Sequence, residues 1–96
     1  MFNTNRLATF NARSLNKRYI EINNFLNEFK IDILAIQETW LNKNMLREFK
    51  GYKNIHTSPK TRKGCGVCIL IREDIVFKVL EIYQDTEDIE YILLKI

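Results

Sequence analysis

The sequence predicts a mixed α/β fold in which a βαβ unit is extended by an antiparallel meander into one mixed sheet. A short, nearly continuous apolar run at 31–36 is typical of a buried strand covered on both faces. A helical pattern and a shorter strand precede this run, and strand-like segments with short polar connections follow it. The 96 residues are enough for one domain, residues 1–96, with a limited core.

The first strand is predicted at Leu7–Asn11 and ends on a polar amide, after which Ser14 is a suitable helix N-cap. Apolar side chains then recur at steps of three and four residues. They are Leu15, Tyr19, Ile22, Phe25, Leu26 and Phe29. This spacing predicts an amphipathic helix that packs on a sheet, because two heptads are too few to favour a coiled coil.

The second strand is predicted within 31–40 and delivers Glu38 to its carboxyl end. A βαβ crossover joins parallel strands, which end at the same edge of a sheet, so we expect Asn11 and Glu38 to lie close together. Amide and carboxylate oxygens suit a hard cation such as Mg²⁺ or Mn²⁺. The alternatives are a turn into the helix for Asn11 and an ordinary solvated position for Glu38.

The second half of the sequence predicts shorter elements. One helical turn is expected at 44–49. Strand-like segments follow at 52–57, 67–71, 75–83 and 89–96. The last three are joined by short connections, which is typical of an antiparallel meander. Gly64 and Gly66 at the start of the second segment predict a bulge or a close backbone approach.

Charge is distributed unevenly along the chain, whose formal net charge is +3. Basic residues crowd into 50–63 and acidic residues into 81–90. Lys60, Arg62 and Lys63 follow a turn signal and are candidates for contacts with nucleic-acid phosphates. A solvated loop is the alternative explanation for this basic segment.

Cys65 and Cys68 have the C-x-x-C spacing of some metal sites, but residues three apart on a strand point to opposite faces. No second pair is present to complete a zinc site, so we expect free thiols in a reducing compartment. No apolar run approaches the roughly 18 residues that span a bilayer, and the N-terminus has no signal-peptide core. We therefore expect an intracellular protein, nuclear or cytoplasmic, with no membrane partner.

Several motifs stand in a distinctive order along residues 7–96. They are Asn11-Ala12-Arg13-Ser14-Leu15, Asp32-Ile33-Leu34-Ala35-Ile36-Gln37-Glu38-Thr39-Trp40-Leu41, Gly51-Tyr52, and Arg62-Lys63-Gly64-Cys65-Gly66-Val67 with a hydrophobic strand ending in Arg72. This order resembles the N-terminal part of the endonuclease/exonuclease/phosphatase superfamily. Within it, the sequence is most similar to the apurinic-endonuclease-like domain of non-LTR retrotransposons.

The resemblance implies a two-sheet α/β sandwich, of which this chain is about the N-terminal half, and a metal-dependent phosphodiesterase that nicks DNA. It implies that Asn11 helps to form the catalytic pocket and that Glu38 is a metal ligand. The basic segment 60–63 would then lie near the DNA backbone.

The sequence also departs from the family pattern. The chain stops before the family's later Tyr, Asp-x-Asn pair and terminal Asp-His pair, and its single histidine, His56, lies too early to match. Cys65 interrupts the usual Gly-rich triplet. We therefore expect a truncated domain that is inactive alone, whose exposed sheet face binds a second copy or the missing C-terminal half. The alternatives are a non-catalytic nucleic-acid- or protein-binding module derived from such a nuclease, or a degenerate fragment.

Overall fold

The computed structural model describes residues 5–41, 47–57, 65–84 and 89–96. One helix and six strands lie in this part of the chain. In chain order they are β1 (Leu7–Asn11), α1 (Tyr19–Glu28), β2 (Ile33–Gln37), β3 (Tyr52–His56), β4 (Val67–Arg72), β5 (Lys78–Gln84) and β6 (Glu90–Lys95). The predicted mixed α/β class is confirmed.

Four strands form a mixed sheet in the order β1-β2-β4-β3. β1 and β2 are parallel and in register, with Asn11 opposite Gln37, which confirms the predicted βαβ unit. β4 runs antiparallel to β2 on one side and to β3 on the other. The carboxyl ends of β1, β2 and β3 therefore lie at the same edge as the beginning of β4. This edge, called the rim below, carries the candidate site.

The core lies between α1 and one face of the four-stranded sheet. Ile22 and Leu26 of the helix are buried together with Leu34, Ile36 and Leu70 of the sheet. Along β2, buried residues alternate with half-buried ones and none is exposed, so one face of the predicted buried strand is covered completely and the other only in part. The helix packs on one face only, and the other face is left partly accessible.

The helix begins later than the sequence predicts. Ser14 is not its N-cap, because Arg18 occupies that position and α1 starts at Tyr19. The backbone N–H groups of Ser14 and Leu15 instead donate to carbonyl groups of residues 38 and 39. These hydrogen bonds hold the segment between β1 and α1 against the end of β2. The helix can begin only after the chain has moved away from β2.

The predicted single sheet also needs a correction. β5 and β6 pair with each other as a separate two-stranded antiparallel sheet, with a bulge between Val79 and Glu81. The meander cannot continue from β4, because both edges of β4 are already paired with β2 and β3. β5 begins at Lys78, after a turn in which Ile75 donates its N–H to the carbonyl of Arg72.

The β5–β6 hairpin is the most exposed part of the described chain. Every residue of β5 is exposed, and apolar residues of β6 alternate between half-buried and exposed. Part of the predicted helical turn at 44–49 lies outside the described residues, and 47–49 are not helical. Within the described ranges, no helix has the length and hydropathy needed to cross a bilayer.

Candidate functional site

Asn11 and Glu38 meet at the rim. Asn11 ends β1, Glu38 follows the last residue of β2, and the Asn11 Nδ2 donates a hydrogen bond of 2.5 Å to Glu38 Oε2. The Asn11 residue is exposed and Glu38 is half-buried, so solvent and ligands reach the pair. The proximity expected from the parallel strands is present in the structure, and the metal-binding and catalytic roles of the two residues stay predictions.

The backbone around Glu38 has an unusual conformation. Glu38 and Trp40 both have φ of +54°, in the left-handed region that costs non-glycine residues roughly 1–3 kcal/mol. Neighbouring segments hold this conformation on both sides: Glu38 accepts a hydrogen bond from the N–H of Ser14, and the Thr39 N–H donates to the carbonyl of Gly66. The segment 38–40 is therefore fixed between the start of the helix connection and the start of β4.

Gly66 allows the chain to approach segment 38–40 closely. Its φ is +105°, and a Cβ at this position would lie 2.2 Å from the Thr39 Oγ1. Thr39 is completely buried, so moving its side chain would disturb the packing around it. The predicted close backbone approach is thus found at Gly66, whereas Gly64 lies outside the described residues.

Glu90 reaches the rim from the second sheet. Its Oε2 accepts the N–H of Gly66 at 2.9 Å, and its Oε1 accepts the hydroxyl of Thr57 at 3.0 Å. The Thr57 Oγ1 in turn accepts the N–H of Val67 at 3.0 Å. The sequence analysis missed Glu90, because a glutamate at the end of an acidic segment gives no local signal of such contacts.

Arg13 is a described basic residue close in sequence to Asn11. Arg13 is exposed, with φ of +45°, and lies between Asn11 and Ser14. The sequence analysis included Arg13 in a motif and assigned it no role. The candidate nucleic-acid contacts Lys60, Arg62 and Lys63 lie outside the described residues.

The Asn11–Glu38 pair fits part of a magnesium site. Mg²⁺ usually keeps several waters and is held by one or two carboxylates together with substrate phosphates. Glu38 supplies one such carboxylate, whose Oε1 is left for a cation when Oε2 accepts from Asn11. Among the described residues there is no group of three or more His, Cys, Asp or Glu placed to hold a metal. The pair alone therefore supplies only a fraction of a complete coordination sphere.

The two cysteines are free thiols, as the sequence predicts, and show no sign of a shared metal site within the described ranges. The Cys68 side chain is buried on the helix-facing side of β4, and its Sγ donates to the Asn54 Oδ1 at 2.9 Å. Burial raises the pKa of the Cys68 thiol to about 12. Cys68 is therefore a packing residue and not a nucleophile at neutral pH.

At the opposite edge of the sheet, motif residues make structural contacts. The buried Asp32 accepts a 2.7 Å hydrogen bond from the Arg72 guanidinium and a 2.6 Å hydrogen bond from the backbone N–H of Arg6. These contacts tie the start of β2 to the end of β4. The motifs that carry the family resemblance thus serve the fold at one edge and the candidate site at the other.

This chain is similar to a known protein family and to solved structures. The sequence profile of the endonuclease/exonuclease/phosphatase family matches residues 8–94. An AP endonuclease structure from Archaeoglobus fulgidus is 28% identical, with a TM-score of 0.63, over 81% of this chain and 32% of that one. A 3'-5' exonuclease (NExo) from Neisseria meningitidis is 27% identical, with a TM-score of 0.54, over 75% of this chain and 30% of that one.

The chain spans about a third of the length of these two solved structures. A search of curated proteins found no match.

Proposed function

Because the chain belongs to the endonuclease/exonuclease/phosphatase family, we propose that it is part of a metal-dependent phosphodiesterase that nicks DNA. The observation that carries this proposal is the hydrogen-bonded Asn11–Glu38 pair at the carboxyl ends of two parallel strands. The AP endonuclease and the 3'-5' exonuclease that resemble the chain support a nucleic-acid substrate. The motif set of the sequence supports a place within the endonucleases of non-LTR retrotransposons.

Glu38 would hold Mg²⁺ or Mn²⁺ through the carboxylate oxygen that does not accept from Asn11. Asn11 fixes the direction of that carboxylate through its 2.5 Å hydrogen bond, and its side-chain carbonyl is the second oxygen available at the rim. When bound, the ion supplies positive charge that stabilises the negative charge developing on the phosphate. The chain's own share of the chemistry is therefore to bind and orient.

Basic side chains would position the DNA. Arg13 is exposed and two residues after Asn11, and Lys60, Arg62 and Lys63 belong to the basic segment 50–63. Contacts of this kind bind the phosphate backbone without reading the bases, and they weaken as salt increases. We place the protein inside the cell, in the nucleus or the cytoplasm, because its two thiols are free.

We further propose that the chain is incomplete as a nuclease. One carboxylate and one amide leave the reaction without an evident general base for the attacking water. The proposal is supported by the coverage of the two solved relatives, of which this chain spans 32% and 30%. Without the rest of the domain, the purified chain should bind the metal ion weakly and cleave DNA not at all.

The test combines metal binding with cleavage. Binding of Mn²⁺ to the purified chain is measured by paramagnetic broadening of assigned NMR signals, and we expect Glu38→Gln to weaken it about tenfold or more. Glu48→Gln is the matched control, because Glu48 is exposed and lies outside the rim. Equal Mn²⁺ binding by the wild type and Glu38→Gln would contradict the metal-binding proposal.

Cleavage is measured as nicking of supercoiled plasmid with Mg²⁺, with EDTA and Glu38→Ala as controls. We expect no nicking by the chain alone. Nicking that requires both Mg²⁺ and Glu38 would show instead that a second copy or a further ligand completes the site. In that case the proposal that the chain is a nuclease would stand, and the proposal that it is incomplete would be wrong.

A second candidate is a non-catalytic module that binds nucleic acid or another protein. It is favoured by the finding that the described residues contain no group of three or more metal-binding side chains. In this case DNA binding should survive Glu38→Ala and be lost when Lys60, Arg62 and Lys63 are all changed to Ala. A fluorescence-anisotropy titration at several salt concentrations tests the phosphate contacts, which both candidates share. The Mn²⁺ titration of wild type and Glu38→Gln separates them, because only the nuclease candidate requires Glu38 to bind the metal ion.

A further inference from the structure

Glu90 joins the second sheet to the beginning of β4. Its two carboxylate oxygens accept different donors, the backbone N–H of Gly66 and the hydroxyl of Thr57. Thr57 is 1% exposed, and its Oγ1, which donates to Glu90, accepts the N–H of Val67. Two successive backbone amides of the chain, those of residues 66 and 67, are thus held directly or indirectly by one carboxylate. Hydrogen bonds to a charged acceptor are stronger than neutral ones, which makes this a firm attachment.

The segment that Glu90 holds is also the segment that supports Glu38. The carbonyl of Gly66 accepts the N–H of Thr39 at 3.1 Å, and the carbonyl of Cys65 accepts the N–H of Trp40 at 2.9 Å. Glu38 directly precedes these two residues and has the left-handed φ of +54°. A backbone in this region relaxes when its supporting contacts are lost. The path from the Glu90 carboxylate to the Glu38 backbone therefore runs from the N–H to the carbonyl of Gly66, across a hydrogen bond to the Thr39 N–H, and through the peptide bond between Glu38 and Thr39.

The packing at Gly66 makes this path stiff. A Cβ at Gly66 would lie 2.2 Å from the Thr39 Oγ1, so the Thr39 side chain packs directly against the Gly66 backbone. A shift of Gly66 is consequently transmitted to Thr39 through this contact as well as through the hydrogen bond between their backbones. The other side of segment 38–40 is held by the N–H groups of Ser14 and Leu15, at 2.9 and 2.8 Å from the carbonyls of Glu38 and Thr39.

We infer that Glu90 is a positioning residue for the metal-binding carboxylate of Glu38, acting through Gly66 and Thr39. The inference rests on the proposed function. It also means that the site depends on the β5–β6 hairpin, because Glu90 is the first residue of β6. A hairpin displaced from the rim would remove the acceptor for Gly66 and loosen the segment that orients Glu38.

The experiment compares Glu90→Ala with wild type by NMR on the purified chain. We expect the Thr39 amide to exchange with solvent about tenfold faster or more, and the Asn11 side-chain amide signal to move toward that of a free amide. The amides of Ile22 and Leu26 in α1 should keep their protection. Wild-type exchange at Thr39 together with an unmoved Asn11 signal would overturn the inference.

Two further variants separate positioning from general stability. Glu81→Ala is the matched control, because Glu81 lies on the same hairpin. Among the described residues, its carboxylate accepts a hydrogen bond from the exposed Tyr91 hydroxyl and none from the rim. Glu81→Ala should leave Thr39 and Asn11 unchanged. Glu90→Gln keeps a side-chain carbonyl for the Gly66 N–H and should fall between wild type and Glu90→Ala. If Glu90→Ala also unfolds α1, the inference is tested on Glu90→Gln alone. Faster exchange of the Thr39 amide in Glu90→Gln, with the α1 amides still protected, supports the inference, and exchange of Thr39 at the wild-type rate overturns it.

Mn²⁺ titration connects the positioning effect to the site. Glu90→Ala should require about tenfold more Mn²⁺ than wild type to broaden the Asn11 and Glu38 signals. Equal Mn²⁺ requirements in the two proteins would overturn the inference even if Thr39 exchange changes. If Mn²⁺ broadens neither signal in the wild type, the proposed metal function fails, and the inference about the metal-binding carboxylate fails with it. Altered exchange at Thr39 would then show only that Glu90 supports the backbone, so the two failures are told apart.

Discussion

Gly66 and Gly51 both have positive φ, yet their surroundings differ. A Cβ at Gly66 would lie 2.2 Å from the Thr39 Oγ1, whereas nothing lies within 4 Å of a Cβ at Gly51. We expect Gly51→Ala to cost about 1–2 kcal/mol, the usual penalty of a left-handed backbone. Gly66→Ala should cost about 2–4 kcal/mol, because displacement of a buried neighbour adds to that penalty. Urea unfolding followed by circular dichroism measures both losses. Equal losses would mean that Thr39 can move away.

The buried thiol of Cys68 gives the stability a pH dependence of known sign. Burial raises its pKa from 9.0 to about 12, so the folded protein binds this proton more tightly than the unfolded chain does. The resulting stability is complete below pH of about 9 and is lost as the pH rises toward 12, by at most about 1.4 kcal/mol per pH unit.

A comparison with Cys68→Ala isolates this effect, because all other groups titrate alike in the two proteins. The difference in free energy of unfolding between wild type and Cys68→Ala should shrink by about 1 kcal/mol or more between about pH 9 and about pH 10.5. Urea titrations at these two pH values measure it. A difference that stays constant would mean that the thiol is solvated in the folded state.

Single residues also show where sequence reasoning succeeds and where it stops. The meeting of Asn11 and Glu38 was predictable, because parallel strands place their carboxyl ends at one edge. The role of Glu90 was not, because its contacts with Thr57 and Gly66 join residues 33 and 24 positions apart in the chain. The left-handed backbone of Glu38 was equally hidden, since its side chain carries no preference for that region.

At the scale of elements, α1 offers a matched test of its packing. Ile22 is fully buried against the sheet, whereas Ile20 on the same helix is 74% exposed. We expect Ile22→Ala to destabilise the chain by about 2–4 kcal/mol, because it removes buried methyl groups and leaves a cavity. Ile20→Ala should change the stability by less than about 0.5 kcal/mol, since alanine is the better helix former. Chemical unfolding of the two variants measures the contrast. Similar losses of unfolding free energy would mean that the helix does not pack on the sheet through the face that carries Ile22.

The predicted periodicity of α1 agrees with the structure, whereas the predicted start of the helix does not. The three- and four-residue spacing of apolar side chains identified the buried face, including Ile22 and Leu26. Ser14 looked like an N-cap because local sequence is blind to the tertiary hydrogen bonds that Ser14 and Leu15 donate to segment 38–40. The separate hairpin escaped prediction for a related reason: whether β4 has a free edge depends on where β2 and β3 pair, which no single segment reveals.

At the scale of the whole molecule, apolar surface is concentrated on the β5–β6 hairpin. Leu93 is 48% exposed and lies on the same face of β6 as Tyr91, whose ring stacks on that of Tyr83 with centroids 5.2 Å apart. Ile82 on the opposite face is also 48% exposed. Exposed apolar surface of this kind is typical of interfaces. In a solution of the purified chain the only available partner is a second copy, so we expect self-association through this hairpin.

The substitution Leu93→Lys tests this expectation without disrupting the hairpin. Leu93 is 48% exposed and lies directly across from Glu81, so a lysine there can form a cross-strand ion pair while its charge opposes burial in an interface. Sedimentation equilibrium should show species larger than the monomer for wild type, and at least a tenfold weaker association for Leu93→Lys. Ile20→Lys, an equally drastic change at an exposed isoleucine of α1, should associate as wild type does. A wild-type chain that sediments as a monomer and does not enhance the fluorescence of an apolar dye would show that the hairpin is stable in water without a partner.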